Sequence, residues 1–498
     1  MYIVSNVVTA DAILLRPPGA PKDKYLGGLL AAGFDESSCL SRYQATIYRK
    51  PSPHKPSPYL VERLRKYEEH HRRCAPGTAA YDRALRLLDA DTAPANATEY
   101  CRYVLWGPYA GLGNRILSLA SSFLYALLTD RVLLIDPGKD LTSLFCEPFP
   151  NTTWLLPPGF PITRFEEFKK KNRQSYANLL IKKKISNDAA SGGPRPPPFV
   201  YAHLGDTYST EDMYFFCERD QAAIRTVPWL LVKSNLYFVP PLFLNQEFEP
   251  ELARLFPEKE TVFHHLGRYL FHPTNKVWRM VASYYRAYLA AAGERLGVQI
   301  RIFSHWDAPF DVVSEQVVNC LHKEKLLPAA DALAAAPVRL AAEPNNTTAV
   351  LITSLDSGYF EKIRSMYWEH PVAGGVAVTV HQPTHEGTQK TGRTSHDEKA
   401  WAEINLLSLA DVLVTSAWST FGYVAQGLAG IRPWVLVRVE KGKMPEPTCL
   451  RDISMEPCLH KPPWYVCRER RNGDNAKVVP FATHCPDLNG GLKLVDRT

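Results

Sequence analysis

Three stretches of the chain carry side chains whose types and spacing suit the binding of a phosphorylated ligand. The first is Ala410-Asp-Val-Leu-Val-Thr-Ser-Ala-Trp-Ser-Thr-Phe-Gly-Tyr-Val-Ala-Gln-Gly427. An apolar run ends in Thr415 and Ser416, a short turn follows, and Ser419-Thr420-Phe421-Gly422 opens an expected helix. Ser or Thr at such a start caps the helix. The free N–H groups of its first turn, aligned with the helix dipole, make a ready phosphate site, and Gly422 would let the backbone come close to a ligand. A plain strand–turn–helix with a Ser/Thr cap is the competing reading. The second stretch is Gly111-Leu-Gly-Asn-Arg115. It lacks the third glycine of the dinucleotide fingerprint, but Asn114 and Arg115 at a helix start could face a cleft; otherwise Arg115 sits in a surface salt bridge. The third is Arg301 within the apolar run Val298-Gln-Ile-Arg-Ile-Phe303. A permanent cation in a buried strand is costly unless paired. It suits a diphosphate, which accepts bidentate hydrogen bonds, or else it pairs with a buried carboxylate.

Groups for proton transfer are harder to single out. Asp206 follows the expected strand Phe199–His203, and His385-Glu386 follows Val376–His381. Loops after strands are where cleft residues sit, and a carboxylate there can accept a hydroxyl proton. Each is equally readable as a turn residue. Asp89-Ala-Asp91 resembles a metal-binding Asp-x-Asp but precedes the first α/β pattern. His264, His265 and His272 lack the helical zinc spacing with a glutamate between. No catalytic metal is expected.

These residues need strands and helices to position them. Tyr103–Trp106, Arg131–Ile135, Phe199–His203 and Trp229–Lys233 read as strands, with Arg115–Leu128 a helix between the first two. A helical connector runs from Asn275 to about Leu296. A second series follows: Val298–Phe303, Ala349–Thr353, Val376–His381, Val412–Thr415 and Pro433–Val437 as strands, with helices at Tyr359–Trp368 and Glu398–Leu409. Strands alternating with helices imply mostly parallel sheets covered on both faces. Two such series imply two Rossmann-like domains facing a cleft, with the ligand at strand C-terminal ends. The expected divisions are an extension and Pro-rich linker over 1–58 and a first α/β domain over 59–280. A second domain over 281–445 and a Cys-rich tail over 446–498 complete the chain. A basic surface loop interrupts the first domain at 167–198. The charged helix expected over Tyr59–His71 reads as a solvated face.

Length and composition agree with this layout. The chain has 498 residues, 45% hydrophobic and 22% charged, enough for two or three domains rather than a disordered chain. A net charge of +7 without a basic, aromatic-interleaved stripe excludes a nucleic-acid binder and is compatible with anionic ligands. None of the 10 cysteines forms a C-x-x-C pair, which argues against zinc fingers and thioredoxin-like chemistry. Four of them, Cys449, Cys458, Cys467 and Cys485, suggest a disulfide-stapled tail. Sequons at Asn96, Asn151, Asn345 and Asn346 join them in favouring a lumenal or secreted chain. Met1–Leu15 has no charged n-region followed by a long apolar core, and Ile116–Leu128 is too short to span a bilayer, which takes ~20 residues. An N-terminus lacking its natural leader is the expectation.

Taken together, the blocks resemble a known family. Gly107-Pro-Tyr-Ala-Gly-Leu-Gly-Asn-Arg-Ile116, Asp140-Leu-Thr-Ser-Leu-Phe-Cys-Glu-Pro-Phe149, His265-Leu-Gly-Arg-Tyr-Leu-Phe-His-Pro-Thr-Asn275 and Asp411–Gly427 look like the plant cell-wall α-1,2-fucosyltransferases, of which the xyloglucan fucosyltransferase is the type. Tyr201–Asp206, Gln299–Phe303, His381–Glu386 and Ser454-Met-Glu-Pro-Cys458 add to the match, which runs from about Lys24 to the C-terminus. The resemblance implies a GT-B-like fold, GDP-fucose as donor, inversion without a metal or other cofactor, and a galactosyl acceptor on a wall polysaccharide or arabinogalactan protein. It places Arg301 at the donor diphosphate, completed by Ser416, Ser419, Thr420, Phe421 and Gly422, with Asn114 and Arg115 from the facing domain. Asp206 is then the expected base, and His385 and Glu386 line the acceptor side. Members of the family are type II proteins of the Golgi lumen; their signal anchor is not found in this chain. A homodimer is compatible with the reading. A non-catalytic relative that binds glycan or nucleotide is the alternative.

Overall fold

The computed structural model describes residues 23–186, 194–330, 347–370, 372 and 376–496. Asn345 and Asn346 therefore lie outside the described residues, as does the middle of the 167–198 loop. Two parallel sheets organise the rest. The first runs β2-β1-β4-β3, from β1 (Tyr103–Trp106), β2 (Val132–Ile135), β3 (Phe199–His203) and β4 (Trp229–Lys233). Every residue of these four strands is buried, which explains why they read as unbroken apolar runs rather than alternating ones. The second sheet runs β10-β9-β8-β5-β6-β7. Its strands are β5 (Glu294–Ile300), β6 (Thr347–Ser354), β7 (Ala377–His381), β8 (Val412–Ser416), β9 (Trp434–Leu436) and β10 (Cys449–Arg451), all parallel except the β9–β10 pair. A hairpin of β11 (Ala482–Cys485) and β12 (Leu488–Leu494) closes the chain. The two α/β sheets bear out the expected two-unit, GT-B-like architecture.

One core joins the two halves. It contains Leu117, Phe123 and Leu127 of the Leu112–Leu128 helix, Phe263 and Leu266 of the Val262–Leu270 helix, and Val424 and Leu428 of the Thr420–Ala429 helix. The Leu112 helix is buried around most of its circumference, as a helix apolar on all sides must be. Close approach there depends on glycine: a Cβ on Gly427 would lie 2.3 Å from Phe263.

Several expectations need correction. The charged helix, observed as Pro58–Arg73, is not a solvated face. Leu60, Leu64, Tyr67, Glu68 and His71 are buried, and the Tyr67 hydroxyl accepts the Leu133 N–H of β2 at 2.9 Å. Residues ahead of it are packed too: Leu29, Leu30 and Cys39 are buried. The tail, by contrast, is stapled by disulfides as expected. Only Cys458–Cys485 lies within it, while Cys449 pairs with Cys320 and Cys467 with Cys217, fastening the tail to both halves. Cys39–Cys146 and Cys74–Cys101 complete the set. A fully buried Lys493–Asp452 ion pair also holds the tail. The two lysine runs are exposed at the surface, as expected of a basic loop. Among the described residues no helix is long and apolar enough to cross a membrane.

Candidate active site

Strand order fixes where a ligand belongs. From β5 the chain crosses to β6 on one side; β8 lies on the other side of β5 and leads on to β9. The crevice between the C-terminal ends of β5 and β8 is thus a topological switch point. Arg301 and Ser416 are there. β5 ends at Ile300, so Arg301 is the first residue beyond the strand and not inside it. The reason is local: the Arg301 N–H leaves the ladder and donates to the Ser416 hydroxyl at 2.8 Å. Ser416 itself is buried and its N–H donates to Gln299 Oε1 at 3.3 Å, so its hydroxyl stitches the two strand ends together.

The Arg301 guanidinium is half-buried, and burial lowers its pKa from the ordinary arginine value. Among the described residues no carboxylate pairs with it; its partners are neutral. Nη2 donates to Gln389 Oε1 at 2.8 Å, and the guanidinium carbon lies 5.0 Å over the Phe303 ring. A cation partly stripped of water and lacking a counter-ion is poised to take an anion.

Beside it, Ser416 leads through Ala417 and Trp418 into the Thr420–Ala429 helix. Ser419 occupies the N-cap position but makes no side-chain capping bond, contrary to the expected Ser/Thr cap, which leaves first-turn donors for an anion. Trp418 has φ 59°, a left-handed conformation rare for a bulky residue. It is held there by its N–H donating to Asp487 Oδ2 at 3.0 Å and by stacking on Trp306 with centroids 6.1 Å apart. Phe421, in the first helical turn, is only partly buried. Gly422 needs reinterpretation. A Cβ there would lie 2.9 Å from Thr415 Cβ and 3.1 Å from Gln299 Oε1. It allows the helix to press on the sheet, whereas the expectation had it facing a ligand.

The two sequence blocks chosen for phosphate chemistry touch. The Leu112–Leu128 helix starts at Gly111, which has no side chain to cap it, and its N-terminus meets that of the Thr420 helix. A Cβ on Gly113 would lie 2.6 Å from Thr420 Oγ1 and 2.8 and 2.9 Å from the Thr420 backbone C and O. Thr420 Oγ1 donates to Asn114 Oδ1 at 3.2 Å, and Asn114 Nδ2 donates to the Asn235 carbonyl at 2.7 Å. Asn235 Oδ1 in turn accepts the Asp206 N–H at 3.0 Å. A polar chain therefore runs from the donor-side helix to the exposed Asp206 on the facing half. Tyr109, pushed up in pKa by burial and then by Asp206, stands beside that carboxylate. His203, just before it, is pushed down to about 4 by burial and the neighbouring Lys233, so it is neutral near pH 7.

Arg115 does not enter the crevice. It is buried, with Nη1 on both oxygens of Asp140 (2.8 and 2.9 Å) and Nη2 on Asp397 at 3.0 Å. Both alternatives, phosphate ligand and surface salt bridge, give way to a buried clamp joining the halves. Burial and the adjacent Asp140 raise Asp397 to about 7 against the pull of Arg115. Glu386 is held at about 2 by Lys399, His396 and Lys390, and exposed His385 leans on Phe360 with centroids 5.7 Å apart. Asp89 and Asp91 are exposed. His264, His265 and His272 are buried, all pushed down by burial; His264 Nδ1 meets the Gly427 carbonyl at 2.8 Å. Asn96 and Asn151 are exposed at the surface. Gln389 was not singled out in the sequence. It bridges Arg301 to the Gly111 loop, its Nε2 lying 3.2 Å from where a Gly111 Cβ would stand. The signal available for it was its loop, which follows a strand on the ligand side of a parallel sheet.

The xyloglucan fucosyltransferase family model matches residues 3–468. The chain belongs to that family. It is 52% identical over 474 residues to a galactoside 2-alpha-L-fucosyltransferase of Arabidopsis thaliana, covering 95% of this chain and 83% of that one. It is 51% identical over 475 residues to the Pisum sativum protein of the same name, covering 95% and 82%. A solved structure of Arabidopsis thaliana FUT1, an arginine-to-lysine mutant in complex with GDP, superimposes with TM-score 0.87 at 51% identity, covering 95% of this chain and 100% of that one. As a member of the xyloglucan fucosyltransferase family the chain is a glycosyltransferase, specifically a fucosyltransferase, and the crevice between β5 and β8 is its candidate active site.

Proposed function

We propose that the chain is a galactoside 2-α-L-fucosyltransferase. It moves fucose from GDP-fucose to a galactosyl residue of a cell-wall glycan, xyloglucan or an arabinogalactan protein, with inversion and without a metal. The observation that carries the reading is the half-buried Arg301, with no carboxylate partner among the described residues, beside the uncapped Thr420 helix at the switch point of the second sheet. Relatives named as galactoside 2-alpha-L-fucosyltransferases support the acceptor class and linkage.

In this reading residues 281–445 hold the donor, residues 59–280 receive the acceptor, and 446–498 pack back on both. The Arg301 guanidinium and the first-turn N–H groups of the Thr420 helix hold the diphosphate and stabilise its growing charge as the anomeric C–O bond breaks. Preorganised donors of this kind do the work a metal would otherwise do. The galactose 2-hydroxyl attacks the opposite face of the anomeric carbon, and Asp206 takes its proton. Glu386, held at about 2 by hydrogen bonds with Lys399, His396 and Lys390, is a weak base and shapes the loop that carries Gln389. The Asn114–Asn235 chain keeps the acceptor-side loop in register with the donor site, which is where effective molarity comes from. The five disulfides suit an oxidising lumen, in line with a type II Golgi enzyme.

The test is an acceptor panel with GDP-fucose and a chelator present, followed by linkage analysis of the product. Transfer to terminal galactose O2 is expected. GDP binding with no turnover on any galactosylated glycan would instead favour a non-catalytic relative.

A further inference from the structure

A polymeric acceptor must extend beyond its reacting sugar, and the tail offers a place for it. Lys461-Pro-Pro-Trp464 runs along the rim between the two sides of the candidate active site. On the donor side, His460 packs edge-on against Trp418, centroids 5.7 Å apart, and its Nε2 lies 3.3 Å from the Tyr423 hydroxyl. On the acceptor side, the Lys461 carbonyl accepts the hydroxyl of Tyr208, two residues from Asp206, at 2.7 Å. Immediately beyond is a cavity of about 200 Å³ lined by Trp464, Asp474, His484 and the Gly490-Gly491 backbone among others. That is below the ~300–1,000 Å³ of a pocket for a drug-sized ligand, so it suits one ring rather than a nucleotide.

The lining has the chemistry of a sugar subsite. Trp464 is 58% exposed, one of only a few large apolar side chains so exposed among the described residues. Isolated exposed apolar residues are ordinary, but this one borders a concavity of mixed, largely apolar lining and is presented by a pinned backbone. The buried Asn475 amide donates to the carbonyls on either side of it, Pro463 at 2.6 Å and Tyr465 at 3.1 Å, and two prolines precede it. Opposite, His484 Nε2 meets Asp474 Oδ2 at 2.9 Å and Nδ1 meets the Gly491 carbonyl at 3.1 Å. An exposed indole on a pinned backbone, beside a few polar groups, suits the apolar face and hydroxyl edge of a pyranose, and a pinned loop loses little entropy when it binds.

We infer that the Trp464 cavity is a distal acceptor subsite that binds a glycosyl unit of the wall glycan away from the galactose being fucosylated. The inference rests on the proposed fucosyltransferase activity. The subsite makes long acceptors better substrates than minimal ones and plays no part in donor binding or chemistry.

The experiment compares wild-type protein, Trp464→Ala and Trp464→Phe on a xyloglucan oligosaccharide and on a minimal galactoside with a simple aglycone. Trp464→Ala should raise KM for the oligosaccharide about tenfold, as truncation of an aromatic anchor does. KM for the minimal galactoside, KM for GDP-fucose and kcat should stay at wild-type values. Trp464→Phe, which keeps a ring, should recover most of the loss. Unchanged KM for the oligosaccharide, or an equal rise for both acceptors or for the donor, overturns the subsite. Inactivity of the wild-type protein on every galactoside instead overturns the parent reading, and binding of the oligosaccharide followed through the tryptophan fluorescence difference between wild type and Trp464→Phe still decides the subsite.

Discussion

Substituting Gly113 by alanine probes the contact between the two helix N-termini. The added methyl would stand 2.8 Å from the Thr420 backbone carbon, where ordinary contacts begin at 3.4 Å. Relieving it takes a separation of about 0.6 Å, the difference of those two distances. The Thr420 hydroxyl can rotate away, but its backbone cannot move without carrying the first turn of its helix. Overpacking of this kind costs about 1–3 kcal/mol in stability, small enough for the protein to stay folded. The catalytic cost is larger in proportion: a misplacement of ~1 Å costs about 10²-fold. Gly113→Ala should therefore lower kcat/KM on the order of tenfold and weaken GDP binding. Gly159→Ala, whose methyl meets nothing within 4 Å, serves as the control and should behave as wild type. The assay is steady-state transfer from GDP-fucose, with calorimetry of GDP on the same samples. Wild-type kinetics in folded Gly113→Ala would refute the idea that the helix contact sets the donor site.

Other consequences are equally direct. Asp206→Asn should lower kcat by about 10²–10⁴-fold, the usual worth of a general base, while Glu386→Gln should leave most of kcat intact; steady-state rates on one acceptor decide between them. Gly422→Ala should lower the melting temperature through ~1–3 kcal/mol of overpacking against Thr415, read by thermal unfolding. Glu456 is raised to about 8 by burial. The folded state thus holds a proton that the unfolded state releases near 4.5, and stability falls as pH rises from about 4.5 to about 8, by at most ~1.4 kcal/mol per unit. Melting curves should show that decline in wild type and a flatter profile in Glu456→Gln. Removing the Cys217–Cys467 bridge, which spans 250 residues, should cost about 2–5 kcal/mol, measured by denaturant unfolding.

The sequence made the strands legible because parallel strands buried on both faces are continuous apolar runs: β1, β3 and β4 lie where expected, and β8 extends one residue further, to Ser416. It also made Arg301 legible as an anomaly, a permanent cation in an apolar run. It did not show that β5 stops one residue short of it, because that depends on Ser416 capturing its N–H from another strand. Arg115 was misread for the same reason. Its two carboxylate partners lie 25 and 282 residues away, and nothing local distinguishes a buried clamp from an exposed phosphate ligand. Gly422 was assigned to ligand approach when the space it vacates is taken by Thr415. The disulfide connectivity and the reach of Gln389 to Arg301 are tertiary facts with no local signature. The amphipathic spacing of Leu60, Leu64, Tyr67 and His71 was available in the sequence and was outweighed by the density of charge around it.

The most direct test of the donor site is calorimetric titration of GDP, with a chelator present, into the wild-type protein and Arg301→Ala. Charge-assisted hydrogen bonds are worth about 1.5–3 kcal/mol each, so losing the guanidinium should weaken GDP about tenfold to a hundredfold in a protein that melts at the wild-type temperature. Equal affinity in the two proteins would contradict the assignment of the diphosphate to the crevice between β5 and β8.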